Sequence, residues 1–522
     1  MDSTNTHTDQ SARPGARSAG AGLSALPVTA RKRVLLLVLD GIRPDIMRAA
    51  IREGDAPTFR DLAERGEARF DAVSVFPSIT PAATSAIATG EPPAGSGILG
   101  HAWFDRKADE MIVYGAKTST VLKTGPVRIF HNHVWRMNRD DLLPPTLFEE
   151  LHERGVEGAN VHFPVRRGPH EHPVRMKLVE GYLKGSRFLG PSIAGPKELF
   201  LGDLFYSTDF GFNGRKGSGG LHRSAGINDD YAAEVGVRLI SERTSPFTLL
   251  YFFRGDQMAH HEGLAAQRRY LSRLDGFLGR VVAAAGGMDA FLKDYAVLAI
   301  SDHGHAPLLS KRRYVPLLRV KGRSVSFGPR ANLGSGADTV LVPNGRAASF
   351  YLRDRSDAGL VARTLTEGHR GVDFAAWRES GWLYVKKHDR EFRFRPSRSG
   401  VPDEYGGSWE VEGEAGALGI AFPDGRVEYG DYPDALNRLW GCGLRDRAGD
   451  VIVSATQGHT FGEVTGGYHE ASDHGSLFHE DSLVFSIGVG LPAPRRITEV
   501  TPTVLAHFDG LLEASDNGKE VR

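Results

Sequence analysis

Cysteine is nearly absent: Cys442 is the single one in 522 residues. A lone thiol excludes an intrachain disulfide and any multi-cysteine metal site, and such a residue ordinarily packs as a small hydrophobe. Net charge is absent as well, with 64 Lys and Arg against 64 Asp and Glu. That balance argues against a broad electrostatic surface for nucleic acid, and no nucleic-acid partner is expected. No apolar run approaches the ~20 residues of a membrane-spanning helix. Arg31-Lys32-Arg33 ahead of Val34–Leu39 imitates the charged and apolar parts of an export signal. The apolar part is short, however, ends in Asp40 and has no small-residue cleavage site behind it. A buried strand is the stronger reading, and the expected location is cytoplasmic. Oligomeric state is not legible in the chain.

What is present is the composition of a globular protein, 40% hydrophobic and 25% charged, in a chain long enough for more than one domain. Residues 1–32 are rich in Ser, Thr, Ala, Gly and Arg and read as a disordered tail. VLLLVLDG (Val34–Gly41), FTLLYFF (Phe247–Phe253) and YAVLAIS (Tyr295–Ser301) are uninterrupted β-type apolar runs. Such runs suit central strands of a parallel sheet covered on both faces. Helical patterns stand around them at Pro57–Gly66, Pro145–Gly155, Asp229–Arg243 and Gln267–Ala285. GANVHFPV (Gly158–Val165) reads as another strand, and Leu483–Gly490 with Thr498–Phe508 as a closing strand and helix. The alternation predicts an α/β fold, a doubly wound and mainly parallel sheet flanked by helices, over residues 33–310 and 456–515. Residues 311–455 break the pattern with short strands such as TVLVPN and ASFYLR, and read as an inserted mixed α+β cap subdomain.

FPSITPAATSAIATG (Phe76–Gly90) places Thr80 just before Pro81 and a run of small residues. Pro is pre-organised for a first helical turn, whose free N–H groups and dipole favour anions. Alone, Thr80 reads as an N-cap. Its weight comes from residues elsewhere. Asp40 ends the first apolar strand, Asp256 and His260 follow the second, Asp302 and His303 end the third, and His474 precedes Leu483–Gly490. In open α/β sheets ligands sit beyond the carboxyl ends of strands, which is where these residues fall. Each has a structural alternative: a turn or cap for Asp40 and for Asp302-His303-Gly304, a local helical pair for Asp256 and His260. His459, His469 and His479 compete with His474 for the last place. Three Asp and three His suit zinc. Two ions with three protein ligands each use all six and, about 3.5–4 Å apart, clamp the attacking and leaving oxygens of a displacement. A Thr hydroxyl is almost wholly un-ionised at neutral pH, so a nucleophilic Thr80 needs a metal beside it.

These stretches stand in order with APTFRDLAERG, GILGHAWFD, GDQMAHHEG, AISDHGH, SDHGS and ITEVTPTVL. Over residues 34 to about 508 the chain resembles the type I phosphodiesterase and nucleotide pyrophosphatase group of the alkaline phosphatase superfamily. The resemblance implies an alkaline phosphatase-like fold and two Zn2+ per chain, other divalent metals being possible. One ion would take Asp40, Thr80, Asp302 and His303, and the other Asp256, His260 and His474. Thr80 would be the nucleophile, forming a phosphothreonine intermediate that water hydrolyses. The implied partner is a small-molecule phosphate ester, a phosphodiester or nucleotide pyrophosphate. One position departs: where nucleotide pyrophosphatases commonly carry an Asn that donates to a phosphate oxygen, this chain has His101, either a replacement donor or a structural residue. Phosphomonoester and phosphonate hydrolysis stay open on the same site. Arg166, Arg167, Arg254 and Lys311-Arg312-Arg313 are the cations that would favour a monoester. A non-catalytic metal-binding protein is the alternative of another class.

Overall fold

The computed structural model describes residues 31–511 apart from 116–117, 174–191, 203–204, 207–227, 312, 321, 445–446 and 467–469. Residues 1–30 of the expected tail, Arg312 and His469 lie outside the described residues. The central sheet contains β1 (Arg33–Leu39), β2 (Glu67–Val73), β3 (Gly158–Val161), β4 (Glu198–Leu201), β5 (Phe205–Tyr206), β6 (Phe247–Phe252), β7 (Tyr295–Ser301) and β8 (Leu483–Val489). Their spatial order is β2-β8-β7-β1-β6-β3-β4-β5. The central pairs β7–β1, β1–β6, β6–β3 and β3–β4 are parallel. At the edges β8 runs antiparallel to β7 and β2, and β5 antiparallel to β4. The sheet is therefore mixed, parallel from β7 through to β4 and antiparallel beyond them on either side.

Alternation along β1 explains why no polar residue interrupts it. Val34, Leu36 and Val38 pack with Ala82, Ala83 and Ala86 of helix α1 (Thr80–Thr89). Leu35, Leu37 and Leu39 face the other way, toward Leu271, Leu274 and Leu278 of the long helix α3 (Ala265–Ala284). Each of these six β1 side chains is at most 2% exposed, and each contributes about 1.5–3 kcal/mol of burial. The register is what positions chemistry. Leu39 lies level with Phe252 on one neighbour and Ser301 on the other. Asp40 and Asp302 therefore leave adjacent strands side by side, about 4.8 Å apart along the hydrogen-bonding direction. Asp256 follows within helix α2 (Arg254–Glu262). The strand expected over Gly158–Val165 stops at Val161. Asn160 accepts from the Phe163 amide at 3.0 Å and His162 takes φ 67°, so the chain turns there.

A second sheet of eight strands is built from residues 325–455, antiparallel except where Val325–Phe327 meets Thr339–Asn344. Helix Ala358–Gly368 covers one face through Val361 and Leu365 against Trp377. The opposite face gathers Phe374, Leu383 and Phe394 with Phe76 and Leu477, which flank Thr80 and His474 in sequence. One ion pair joins this sheet to the loop behind His474. Arg346 Nη1 lies 2.6 Å from Asp481 Oδ1, both side chains at 0% exposure. Arg346 also donates to the carbonyls of His459 and Thr456, while Asp481 accepts from the Ser476 amide. Removing one partner of such a pair strands a buried charge, at about 3–5 kcal/mol. Arg346→Met is expected to lower the unfolding free energy by about that amount in urea titration. A loss below about 1 kcal/mol, the range of exposed pairs, contradicts this role.

Candidate active site

Asp40 is 4% exposed and stands directly after β1. Its Oδ2 accepts from the Tyr251 hydroxyl, while Oδ1 has no hydrogen-bond partner. Asp302 is fully buried; its Oδ1 accepts from the amides of Gly41 (3.0 Å) and His303 (2.9 Å), and its Oδ2 has no partner. Both orphaned oxygens face one ring nitrogen. His303 Nε2 is 3.3 Å from Asp40 Oδ1 and 3.5 Å from Asp302 Oδ2. The same nitrogen lies 3.0 Å from the Thr80 hydroxyl.

Thr80 does not cap its helix. Ile79 takes the N-cap conformation and Thr80 is the first helical residue, with Pro81 behind it. Its hydroxyl is therefore left for His303. The small residues serve packing: Pro81 to Ala88 are buried without interruption, so α1 is wrapped on all sides. Gly90, at φ 76°, closes the helix with its amide on the Ala86 carbonyl.

A second cluster adjoins the first. Asp256 Oδ1 lies 3.4 Å from His260 Nε2, 3.3 Å from His474 Nε2 and 2.7 Å from His305 Nε2. Asp256 and His260 do form the helical pair allowed by their spacing, but His474 joins them from a distant segment. It arrives because Ser472–Asp473 pairs antiparallel with Ala306–Pro307. The rings of His303 and His474 stack with centroids 3.7 Å apart, which links the two clusters. His459 and His479, the competing histidines within the described residues, bond elsewhere: His459 with Thr456, His479 beside Asp431.

Hydrogen bonds fix which nitrogen each ring presents. Nδ1 lies 2.9 Å from the Ser472 carbonyl in His260, 3.0 Å from the Gly304 carbonyl in His303 and 2.8 Å from the Ser78 carbonyl in His474. A carbonyl only accepts, so each Nδ1 carries the hydrogen and each neutral ring keeps a lone pair at Nε2. This is the arrangement of metal-binding histidines. Ligands of a tetrahedral ion with bonds near ~2.0 Å stand about 3.3 Å apart. The separations of His303 from Asp40 and Asp302, and of Asp256 from His260 and His474, match that edge. The residues present therefore fit two cations, with Thr80 beside the first.

The electrostatics point the same way. Burial first, then the charge of Asp256, pushes Asp40 well above the usual carboxylate range. Burial and then Asp40 push Asp302 up to about 7. Burial opposes ionisation of Asp256, yet His260, with hydrogen bonds from His305 and His474, holds it well below that range. Burial also opposes charge on His260, but Asp256 raises it well above the ordinary imidazole value.

His101 offers something other than the expected donor. Its Nδ1 lies 2.8 Å from the Gly115 carbonyl, so the neutral ring has a lone pair at Nε2. Burial, then His474, pushes its pKa down to about 3. A second N–H for a phosphate oxygen is thus absent near neutral pH. The arginines flagged as phosphate partners are mostly spent on structure. Arg166 donates to the carbonyls of Pro164 and Val134, Arg167 pairs with Glu149, and Arg313 donates to the Glu470 carbonyl. Arg254 and Lys311 are exposed. Two members of the site were missed in the sequence, Tyr251 and His305. The signal for His305 was its place two residues after His303 in AISDHGH.

The raised pKa of Asp302 has a definite sign for stability. A carboxyl raised in the folded state contributes stability that is present below its ordinary value and lost as pH rises through its folded value, here about 7. The raised His260 acts in the same direction. Relative to metal-loaded protein, metal-stripped protein should therefore lose thermal stability as pH rises from about 4 to about 7. Scanning calorimetry with and without chelator checks this; a stripped protein that gains stability over that interval contradicts it.

The model of the type I phosphodiesterase / nucleotide pyrophosphatase family matches residues 34–476. No curated protein matches the chain in sequence. Among solved structures the fold is similar to murine ectonucleotide pyrophosphatase / phosphodiesterase 5, an inactive variant in complex with AMP, with a TM-score of 0.54 at 14% identity. That similarity covers 92% of this chain and 96% of the murine one, and it bears on the fold. Among the described residues no helix is long and apolar enough to cross a membrane. With the family match extending from β1 through His474, the chain belongs to the type I phosphodiesterase / nucleotide pyrophosphatase family, metal-dependent phosphodiester hydrolases of the alkaline phosphatase superfamily.

Proposed function

We propose that this chain is a zinc-dependent hydrolase of phosphodiester or nucleotide pyrophosphate bonds that works through a phosphothreonine on Thr80. The observation that carries the reading is the meeting of Asp40 Oδ1, Asp302 Oδ2 and His303 Nε2 beside the Thr80 hydroxyl. Two buried carboxylate oxygens and a lone pair repel one another unless a proton or a metal cation joins them, and three such ligand atoms around one point suit the metal. Asp40, Asp302, His303 and Thr80 would hold one zinc, and Asp256, His260 and His474 the other. Two such ions supply Lewis-acid chemistry, lowering the pKa of the hydroxyl and neutralising charge on the phosphoryl oxygens.

The residues set the rest of the reaction. Thr80 attacks phosphorus in line, and the ester oxygen on the far side leaves. Helix α1 begins at the nucleophile, so its first free amides and its dipole favour the anionic group in place. Water then displaces Thr80 from phosphorus and releases the second product. AMP, the ligand of the murine relative, supports nucleotide esters as the first substrates to try. His101 is left out of the charge-stabilising set because its tautomer gives an acceptor. A monoester reading gains no support from Arg166, Arg167 or Arg313, whose guanidinium groups already serve carbonyls and Glu149.

Thr80→Ala tests the assignment. The variant should keep its metal content and fold while losing roughly 10³-fold or more in kcat on bis-p-nitrophenyl phosphate. In the parent, that diester should turn over faster than p-nitrophenyl phosphate. A Thr80→Ala enzyme within about tenfold of the parent contradicts the nucleophile.

A further inference from the structure

Among the described residues, groups of three or more metal-type side chains converge in two places. One is the catalytic edge. The other is His152, Glu157 and His170, which neither the family resemblance nor the proposed reaction uses. Three segments supply it. His152 lies in the last turn of helix Leu147–Glu153, whose start is held by a capping box between Thr146 and Glu149. Glu157 stands directly before β3. His170 opens the strand His170–Pro173, which pairs antiparallel with Ser192–Gly195. β3 runs parallel to β6, and β6 to β1, so Glu157 is at the amino edge of the sheet. Asp40, Asp256 and Asp302 lie beyond the opposite, carboxyl edge.

The geometry is that of one carboxylate between two imidazoles. Glu157 Oε1 lies 3.2 Å from His152 Nδ1, and Oε2 lies 3.0 Å from His170 Nε2. The rings stand edge to face, with centroids 5.4 Å apart and planes at 82°. One ligand atom from each residue lies within 4.8 Å of the other two. A tetrahedral ion with bonds near ~2.0 Å needs them at about 3.3 Å, a contraction that side-chain rotation supplies. The side chains are 43%, 31% and 37% exposed, so ions in solution reach them. Arginines close in the chain do not occupy the carboxylate: Arg154 pairs with Glu150 and Asp509, and Arg167 with Glu149.

A carboxylate only accepts, so in the neutral rings the hydrogens sit on His152 Nδ1 and His170 Nε2. When a cation enters, each hydrogen passes through water to the other nitrogen of its ring. The two freed lone pairs then meet the ion together with one oxygen of Glu157. No net proton is released from neutral rings. Two imidazoles and a carboxylate suit zinc, with a fourth position left to water. We propose that His152, Glu157 and His170 form a third zinc site, at the amino edge of the sheet and separate from the two at Thr80. It would tie the end of helix Leu147–Glu153 to the strand His170–Pro173.

Equilibrium dialysis of the full-length chain against zinc, followed by metal analysis, tests this. His152→Ala should bind one zinc fewer than the parent, and so should His170→Ala. His152→Cys sets a sulfur near the place of Nδ1 and should keep that zinc, since thiolate is a zinc ligand. It does not keep the imidazole–carboxylate hydrogen bond. Equal zinc content in the parent and both alanine variants overturns the proposal and leaves the cluster as a pair of surface hydrogen bonds. Loss of that zinc from His152→Cys as from His152→Ala also overturns it. The readout is a difference of one zinc between chains with the same catalytic edge. A parent that hydrolyses no ester, or binds no zinc at that edge, therefore refutes the proposed function and leaves this comparison intact.

Discussion

Asp40 Oδ1 and Asp302 Oδ2 are buried carboxylate oxygens that meet the lone pair of His303 with no proton donor among them. A protein interior tolerates such a meeting only when charge is removed by protonation or balanced by a cation. The rest of the centre answers to that constraint. Gly41 and His303 spend their amides on the other oxygen of Asp302, and Tyr251 spends its hydroxyl on the other oxygen of Asp40. Each carboxylate is thereby oriented, and each keeps one oxygen for the shared point.

The two sheets share the work of holding this point. β1, β6 and β7 end level, which brings the acidic residues to one edge. The second sheet secures the segments that arrive from elsewhere. Phe76 and Leu477 belong to its core, and Arg346 fixes Asp481 a short distance past His474. Asn344, at the end of one of its strands, bonds both the amide and the carbonyl of Ala102, next to His101. Residues 325–455 therefore brace the site through side-chain bonds as well as packing.

Much of this was legible in the sequence for a physical reason. A strand buried on both faces must be apolar throughout, so Val34–Leu39, Phe247–Phe252 and Tyr295–Ser301 announce themselves, and so do the polar residues that end them. The direction of a strand leaves no comparable trace: β8 is as apolar as β7 yet runs antiparallel to it. Asn160 ended β3 early through a local side-chain bond that periodicity does not reveal. His101 changed its meaning because strands Ala102–Asp105 and Glu110–Val113 pair and bring the Gly115 carbonyl to its ring. His305 escaped notice because its partner is 49 positions away in the chain. Identity and spacing located candidate ligands; hydrogen-bond partners decided what each one offers.

The central claim is that two cation sites stand side by side at the carboxyl edge of the sheet, the first of them at Thr80. Anomalous diffraction from a crystal of the zinc-loaded protein measures this directly. The account predicts two peaks about 3.5–4 Å apart, one among Asp40, Thr80, Asp302 and His303 and the other among Asp256, His260 and His474. Absence of signal from that edge would contradict it, wherever else on the chain zinc binds.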